Sequence, residues 1–183
     1  MSYYFQICAT ERYQEKYISF LLEHYSALNL PYSFPVALSY IASPVLMTEE
    51  AILYFDHNDE IAGALGYIYG TGEQHYQDTG IVQLQTIFLL DKYRGTRLFL
   101  EGLQYLTQYL AQLDRGITEL RFWVPANNPQ LRRLCGKLAQ RTVSGETAFG
   151  MIDEYRLPLP QLQQYVARFR HESYFETYRG HTV

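Results

Sequence analysis

The sequence predicts an α/β (α+β) fold, with a mixed, twisted central sheet of six to seven strands flanked by helices and an extra C-terminal helix. Three observations predict it. At 183 residues, 48% of them hydrophobic, the chain is long enough for one full-sized core and too apolar for disorder. Runs with strand-like alternation recur between stretches of helical three- and four-residue spacing. At the centre, Ile81 to Leu113 passes from a β-branched, aromatic strand pattern into an amphipathic helix through a basic turn.

Tyr3, Phe5 and Ile7 alternate with Tyr4 and Gln6, which predicts a first strand over Ser2 to Ala9. Thr10 is a good N-cap for a helix reaching about Leu28, with Tyr17, Leu21, His24 and Leu28 on its buried stripe. His24 reads there as a structural histidine. Pro35 to Ser43 forms a short second helix closed by Pro44, and Ala51–Phe55 and Ile61–Tyr69 form a hairpin around Asp56-His57-Asn58-Asp59. Gly70 to Gly80 is a polar loop. The central strand, Ile81 to Leu90, leads through Asp91–Arg97 into a helix over Thr96 to Leu113, whose apolar stripe is Leu98, Gly102, Leu106, Tyr109, Leu110 and Leu113.

Ile117 to Val124 is the next strand, with Leu120, Phe122 and Val124 on one face and Glu119, Arg121 and Trp123 on the other. It should lie beside the central strand and parallel to it. Asn128 as N-cap and Pro129 at the first helical position then start a helix carrying Leu131, Leu134, Cys135 and Leu138 on one face. Arg141–Phe149 and Met151–Leu157 close the sheet, and a last helix runs from Gln161 to about His171. Residues 1–157 form the domain. Residues 158–183 add a helix and a tail, with Tyr174, Phe175 and Tyr178, packed on it or on a partner.

A net charge of −4 gives no electrostatic case for nucleic acid. No window approaches the ~20 apolar residues of a membrane span. Two cysteines, Cys8 and Cys135, lie far apart in no metal-ligand spacing, so a reducing cytoplasm is the default. The 18 tyrosines and 10 phenylalanines furnish an aromatic core and surface, or else the sticky face of a homodimer or a ligand pocket.

The run Leu89-Leu90-Asp91-Lys92-Tyr93-Arg94-Gly95-Thr96 at the start of a long helix resembles the acyl-CoA signature of the GNAT acyltransferase superfamily. That family's phosphate loop reads Arg/Gln-x-x-Gly-x-Gly/Ala. Here Arg97 and Phe99 stand at its two small positions, and Asp91 replaces the usual Pro. The Asn-initiated helix resembles the family's second motif at Asn128, Leu134, Lys137 and Leu138, while Cys135 stands where the family's tyrosine often sits.

The resemblance implies an N-acyltransferase that uses acetyl-CoA or another acyl-CoA and acts on an amine of a small molecule or a protein. Backbone groups of Ile87 and Leu89 would bond the pantetheine. The turn Arg94, Gly95, Thr96, Arg97 and Leu98 would hold the pyrophosphate, where free N–H groups and the helix dipole favour an anion. Asn128 would touch the cofactor or merely cap its helix. Cys135 would protonate the leaving thiolate or merely fill the core. Gln83 and Gln85 occupy the strand where relatives often carry a carboxylate base, which leaves Glu119, Glu73 or ordered water for that task. The alternative is a GNAT-fold module that binds acyl-CoA, or a protein, without turnover.

Overall fold

The structure, a computed structural model, describes residues 2–47 and 50–175. One seven-stranded sheet organises the chain, in the order β1-β2-β3-β4-β5-β7-β6. The strands are β1 (Tyr4–Ile7), β2 (Ala51–Phe55), β3 (Ile61–Tyr69), β4 (Ile81–Leu89), β5 (Glu119–Pro125), β6 (Gln140–Thr147) and β7 (Gly150–Pro158). All neighbours are antiparallel except β4 and β5, which are adjacent and parallel as expected. Helix α4 (Leu98–Gln112) connects those two. The other helices are α1 (Glu11–Glu23), α2 (Tyr25–Leu28), α3 (Phe34–Leu46), α5 (Pro129–Leu138) and α6 (Leu159–Val166).

Two cores form because successive strand residues point to opposite faces. Leu53, Phe55 and Ala64 pack against Tyr17 and Leu21 of α1 and Ile41 of α3. Ile52, Tyr54 and Leu65 face the other way, onto Leu106 and Leu110 of α4, and Leu162 of α6 extends that core.

Four helical expectations need correction. The first helix breaks at His24, whose Nδ1 lies 2.8 Å from the Phe20 carbonyl, and Asn29 in the left-handed region ends the short α2. Pro44 sits inside α3 instead of closing it, with its ring buried. The central helix begins at Leu98, after Arg97, because Thr96 is spent on the turn. The last helix is Leu159–Val166, shorter than the expected span and begun by Pro160 near its N-terminus.

The central helix also differs in character. Its polar face is buried, because α6 and the segment after it run along it. Gln104 donates to the carbonyls of Val166 and Arg170, while Gln108 bonds Glu172 and Tyr174 at 2.8 and 2.9 Å. Tyr174 and Phe175 pack on Tyr105. Tyr178 and the rest of 176–183 lie outside the described residues.

Candidate active site

The site begins with a fault in β4. Gly66 of β3 pairs with Thr86, and the next residue, Tyr67, pairs with Leu84, so Gln85 is an extra residue in the strand. Such a bulge reverses the alternation that follows it. Val82 and Leu84 face α4, whereas Thr86 faces α1, where its Oγ1 lies 2.7 Å from the buried Tyr17 hydroxyl. Gly66 is required at this point. A Cβ there would meet the Tyr17 hydroxyl and come within 2.6 Å of Pro44 Cγ.

Beyond the bulge, β4 and β5 part company. Their ladder holds only from Ile81↔Glu119 to Gln83↔Arg121, although both strands continue for several residues. The Leu90 N–H bonds to Ala62 on the β3 side, so strand alternation turns the backbone groups of Ile87 and Leu89 toward the gap.

The gap is a cleft of about 190 Å³. Phe99 and Leu103 of α4, Leu131 and Cys135 of α5 and Leu162 of α6 line it from one face of the sheet. Leu28 to Pro31 line it from the other, so it is reached from both sides. Its polar lining is Asn29, Gln85, Thr86, the Trp123 indole and the Cys135 thiol. Among the described residues, no carboxylate lines it.

The predicted residues divide accordingly. Ile87 and Cys135 line the cleft, whereas the Leu89 side chain does not. Cys135 is 5% exposed, and burial pushes its thiol up to about 11. Asn128 caps α5, its side-chain oxygen accepting the Leu131 N–H at 3.0 Å. Gln83 is in the closed part of the ladder, while Gln85 is in the cleft. Glu119 is ion-paired with Arg121, and Glu73 is exposed on a separate loop.

The basic turn stands at the wide end of the gap. Asp91–Tyr93 forms a single 3₁₀ turn, and Gly95 at φ +78° redirects the chain. Tyr93 donates to the buried Asp56 carboxylate, which also accepts the N–H groups of Asn58 and Glu60 and is held below the usual carboxylate range, the tyrosine bond being the largest cause. Thr96 Oγ1 accepts the Leu98 N–H at 3.2 Å. Arg94 pairs with Asp91 at 3.0 Å. Arg97 pairs with Glu101 at 3.4 Å and donates to the Arg170 carbonyl at 2.9 Å.

No protein-family model and no curated protein matches the chain. Solved structures do. A GNAT-family acetyltransferase from Staphylococcus aureus Mu50 is 13% identical, with 86% of this chain and 99% of that one covered at a TM-score of 0.63. The chain has the GNAT fold. The acetyltransferase from Salmonella typhimurium that modifies the N-terminal serine of ribosomal protein L7/L12 is 14% identical, over 86% and 95% of the two chains, at 0.61. The ribosomal-protein-S18-alanine N-acetyltransferase from Escherichia coli is 15% identical, over 86% and 94%, at 0.60.

The GNAT fold implies an acyl-CoA, and the residues present fit one. A slot with apolar walls and a bare strand edge suits a pantetheine arm. At the turn, Arg94 and Arg97 have half-exposed side chains. Their present ion pairs are surface pairs of about 0–1 kcal/mol, so little holds either guanidinium to its current partner.

Sequence reasoning missed Tyr17, Thr86, Trp123 and the Leu28–Pro31 link. Only Tyr17 had a signal, its place on a buried stripe. The pairing of Thr86 with it depends on the bulge.

Proposed function

We propose that the chain is a cytoplasmic N-acyltransferase that takes its acyl group from an acyl-CoA, with acetyl-CoA as the first choice. The observation that carries this reading is the cleft between splayed β4 and β5, lined from both faces of the sheet. When bound, the acyl-CoA supplies an activated thioester. Backbone groups of Ile87 and Leu89 hold the arm, while Arg94, Arg97 and the start of α4 hold the pyrophosphate. Leu131, Leu134 and Leu103 exclude water. The acceptor enters past Leu28–Pro31. Two free, buried cysteines suit a reducing compartment, and no helix among the described residues is long and apolar enough to cross a membrane.

The absence of a carboxylate among the described lining residues bears on the acceptor. With no strong base at hand, the amine must arrive largely uncharged. An α-amino group, with a pKa of about 7.7–8.0, is roughly one-third neutral at pH 7.5, against about 0.1% for a lysine side chain near 10.4. That ratio favours α-amino acceptors by roughly three hundred-fold. The named activities of the Salmonella and E. coli proteins, on an N-terminal serine and an alanine, are in keeping with it.

The test measures thiol release from acetyl-CoA with a peptide carrying a free N-terminus, and with an Nα-blocked, lysine-containing peptide. The α-amino peptide should react about 10²-fold faster at pH 7.5. Arg94→Ala combined with Arg97→Ala should weaken acetyl-CoA binding tenfold or more. If millimolar acetyl-CoA neither binds nor raises the melting temperature, the donor reading fails and the non-catalytic module replaces it.

A further inference from the structure

On the far side of α5 from the cleft lies a second concavity of about 500 Å³, between that helix and the β6–β7 pair, with Arg132, Arg133, Arg141 and Tyr155 in its lining. It shares no lining residue with the cleft. We propose that it is a second ligand site, for a small phosphorylated molecule bound by the three arginines.

The charge pattern carries the proposal. Asp153 of β7 is 2% exposed, and its Oδ1 accepts the Ser144 hydroxyl at 2.7 Å. Its buried Oδ2 receives no hydrogen bond among the described residues. Arg132 and Arg141 approach that oxygen from opposite elements at 3.8 and 3.7 Å. Those separations exceed hydrogen-bond length, so the carboxylate orients two guanidinium groups by charge and leaves their N–H donors unspent. Arg133 has no ion pair among the described residues. Three arginines line this open concavity, two of them beside Asp153, which leaves a formal excess of two positive charges there.

Several arginine forks suit a group with several oxygens, which favours a phosphoryl group over a lone carboxylate. Nucleic acid fits less well. It needs a basic face along its backbone, whereas this charge is confined to one hollow on a chain of net charge −4.

The probe is inorganic pyrophosphate, titrated calorimetrically into the full chain at fixed chloride. Saturable binding with a dissociation constant below millimolar is expected. Arg133→Ala and Arg141→Ala should each weaken it tenfold or more, and Asp153→Asn should tighten it several-fold. Both arginines are exposed, so those variants fold. A melting curve accompanies the aspartate variant, and if that one unfolds the arginine pair decides alone. Absence of binding in wild type, or equal binding in the arginine variants, overturns the proposal. Competition by coenzyme A, with or without its 3′-phosphate, would also overturn it, since the anion would then belong to the donor in the cleft. So would arginine-dependent binding of an oligonucleotide with none of pyrophosphate. Loss of acetyl-CoA binding with pyrophosphate binding intact would refute only the donor reading.

Discussion

Cys135 separates chemistry from packing, because the two roles give opposite results in one pair of variants. The thiol lines the cleft where the leaving thiolate would form, yet it is 5% exposed and burial raises it to about 11. Burial makes Cys135 a weaker acid than an ordinary thiol, so proton transfer from it to the departing thiolate runs uphill. A thiolate released into bulk water at neutral pH, below its pKa, is protonated there without help. Cys135→Ala should therefore keep turnover within about threefold of wild type, well short of the 10²–10⁴-fold loss of a working acid.

Packing sets the other half of the result. Losing one buried heavy atom costs about 0.5–1.5 kcal/mol, by analogy with Ile→Val. Melting temperature moves roughly 2–4 °C per kcal/mol at this chain length, so Cys135→Ala should melt about 1–6 °C lower. Cys135→Ser buries a hydroxyl among Leu131, Leu138 and Phe122, which costs about 1–3 kcal/mol and melts lower still. The assays are thiol release with the best α-amino peptide and a thermal melt of each variant. A hundred-fold loss of turnover in Cys135→Ala, with melting unchanged, would refute the reasoning and make the thiol the acid.

Three other perturbations test the frame of the site. Asp56 has a depressed folded pKa, so the stability it contributes is present above its unfolded value of about 3.9 and is lost as pH falls through the folded value. Asp56→Asn should therefore melt below wild type at pH 7, with the gap narrowing as pH falls below about 3.9. Gly66→Ala would force a methyl onto the Tyr17 hydroxyl and Pro44, an overpacking worth about 1–3 kcal/mol, and its melting curve should fall accordingly. Gln108→Leu leaves the partners at Glu172 and Tyr174 unmatched. A loss of about 1–3 kcal/mol and faster amide exchange at Tyr174 are expected, and unchanged exchange would show that the glutamine does not hold this segment.

The sequence was most legible where one residue type has one local use. Thr10 and Asn128 cap helices in the structure, the latter followed by Pro129, and the hairpin strands Ala51–Phe55 and Ile61–Tyr69 fall on either side of the turn-rich Asp56–Asp59 link. The parallel pairing of β4 with β5 followed from strand, crossover helix, strand. Legibility failed where long-range packing overrode local pattern. Pro44 reads as a helix stop, yet the sheet gives its ring a buried seat and the helix continues. Gln104 and Gln108 mark a solvent face until a distant segment arrives to bond them. The bulge at Gln85 leaves no compositional trace, so the sequence names the strand without naming which of its residues meet the cleft. Arg132, Arg133 and Arg141 read as scattered surface charge, because Asp153, which gathers two of them, lies on a different strand.

The ties around the basic turn also determine how it can meet an anion. Tyr93 is bonded to Asp56 of the β2–β3 hairpin, and Thr96 is bonded to both the Tyr93 carbonyl and the Leu98 N–H. The helix that follows is buried on its apolar side by the sheet and on its polar side by α6 and the segment beyond. A start anchored at both ends cannot swing toward a ligand as loops often do. What can change is the partner of each arginine, since Arg94 and Arg97 are held by exposed ion pairs and one carbonyl bond. On the proposed reading, donor binding replaces the link from Arg97 to Arg170. Thermodynamic reciprocity then requires that whatever strengthens the Arg170 contact weakens the donor by the same factor. The C-terminal segment and the cofactor are thereby coupled through one guanidinium, without any movement of the helix.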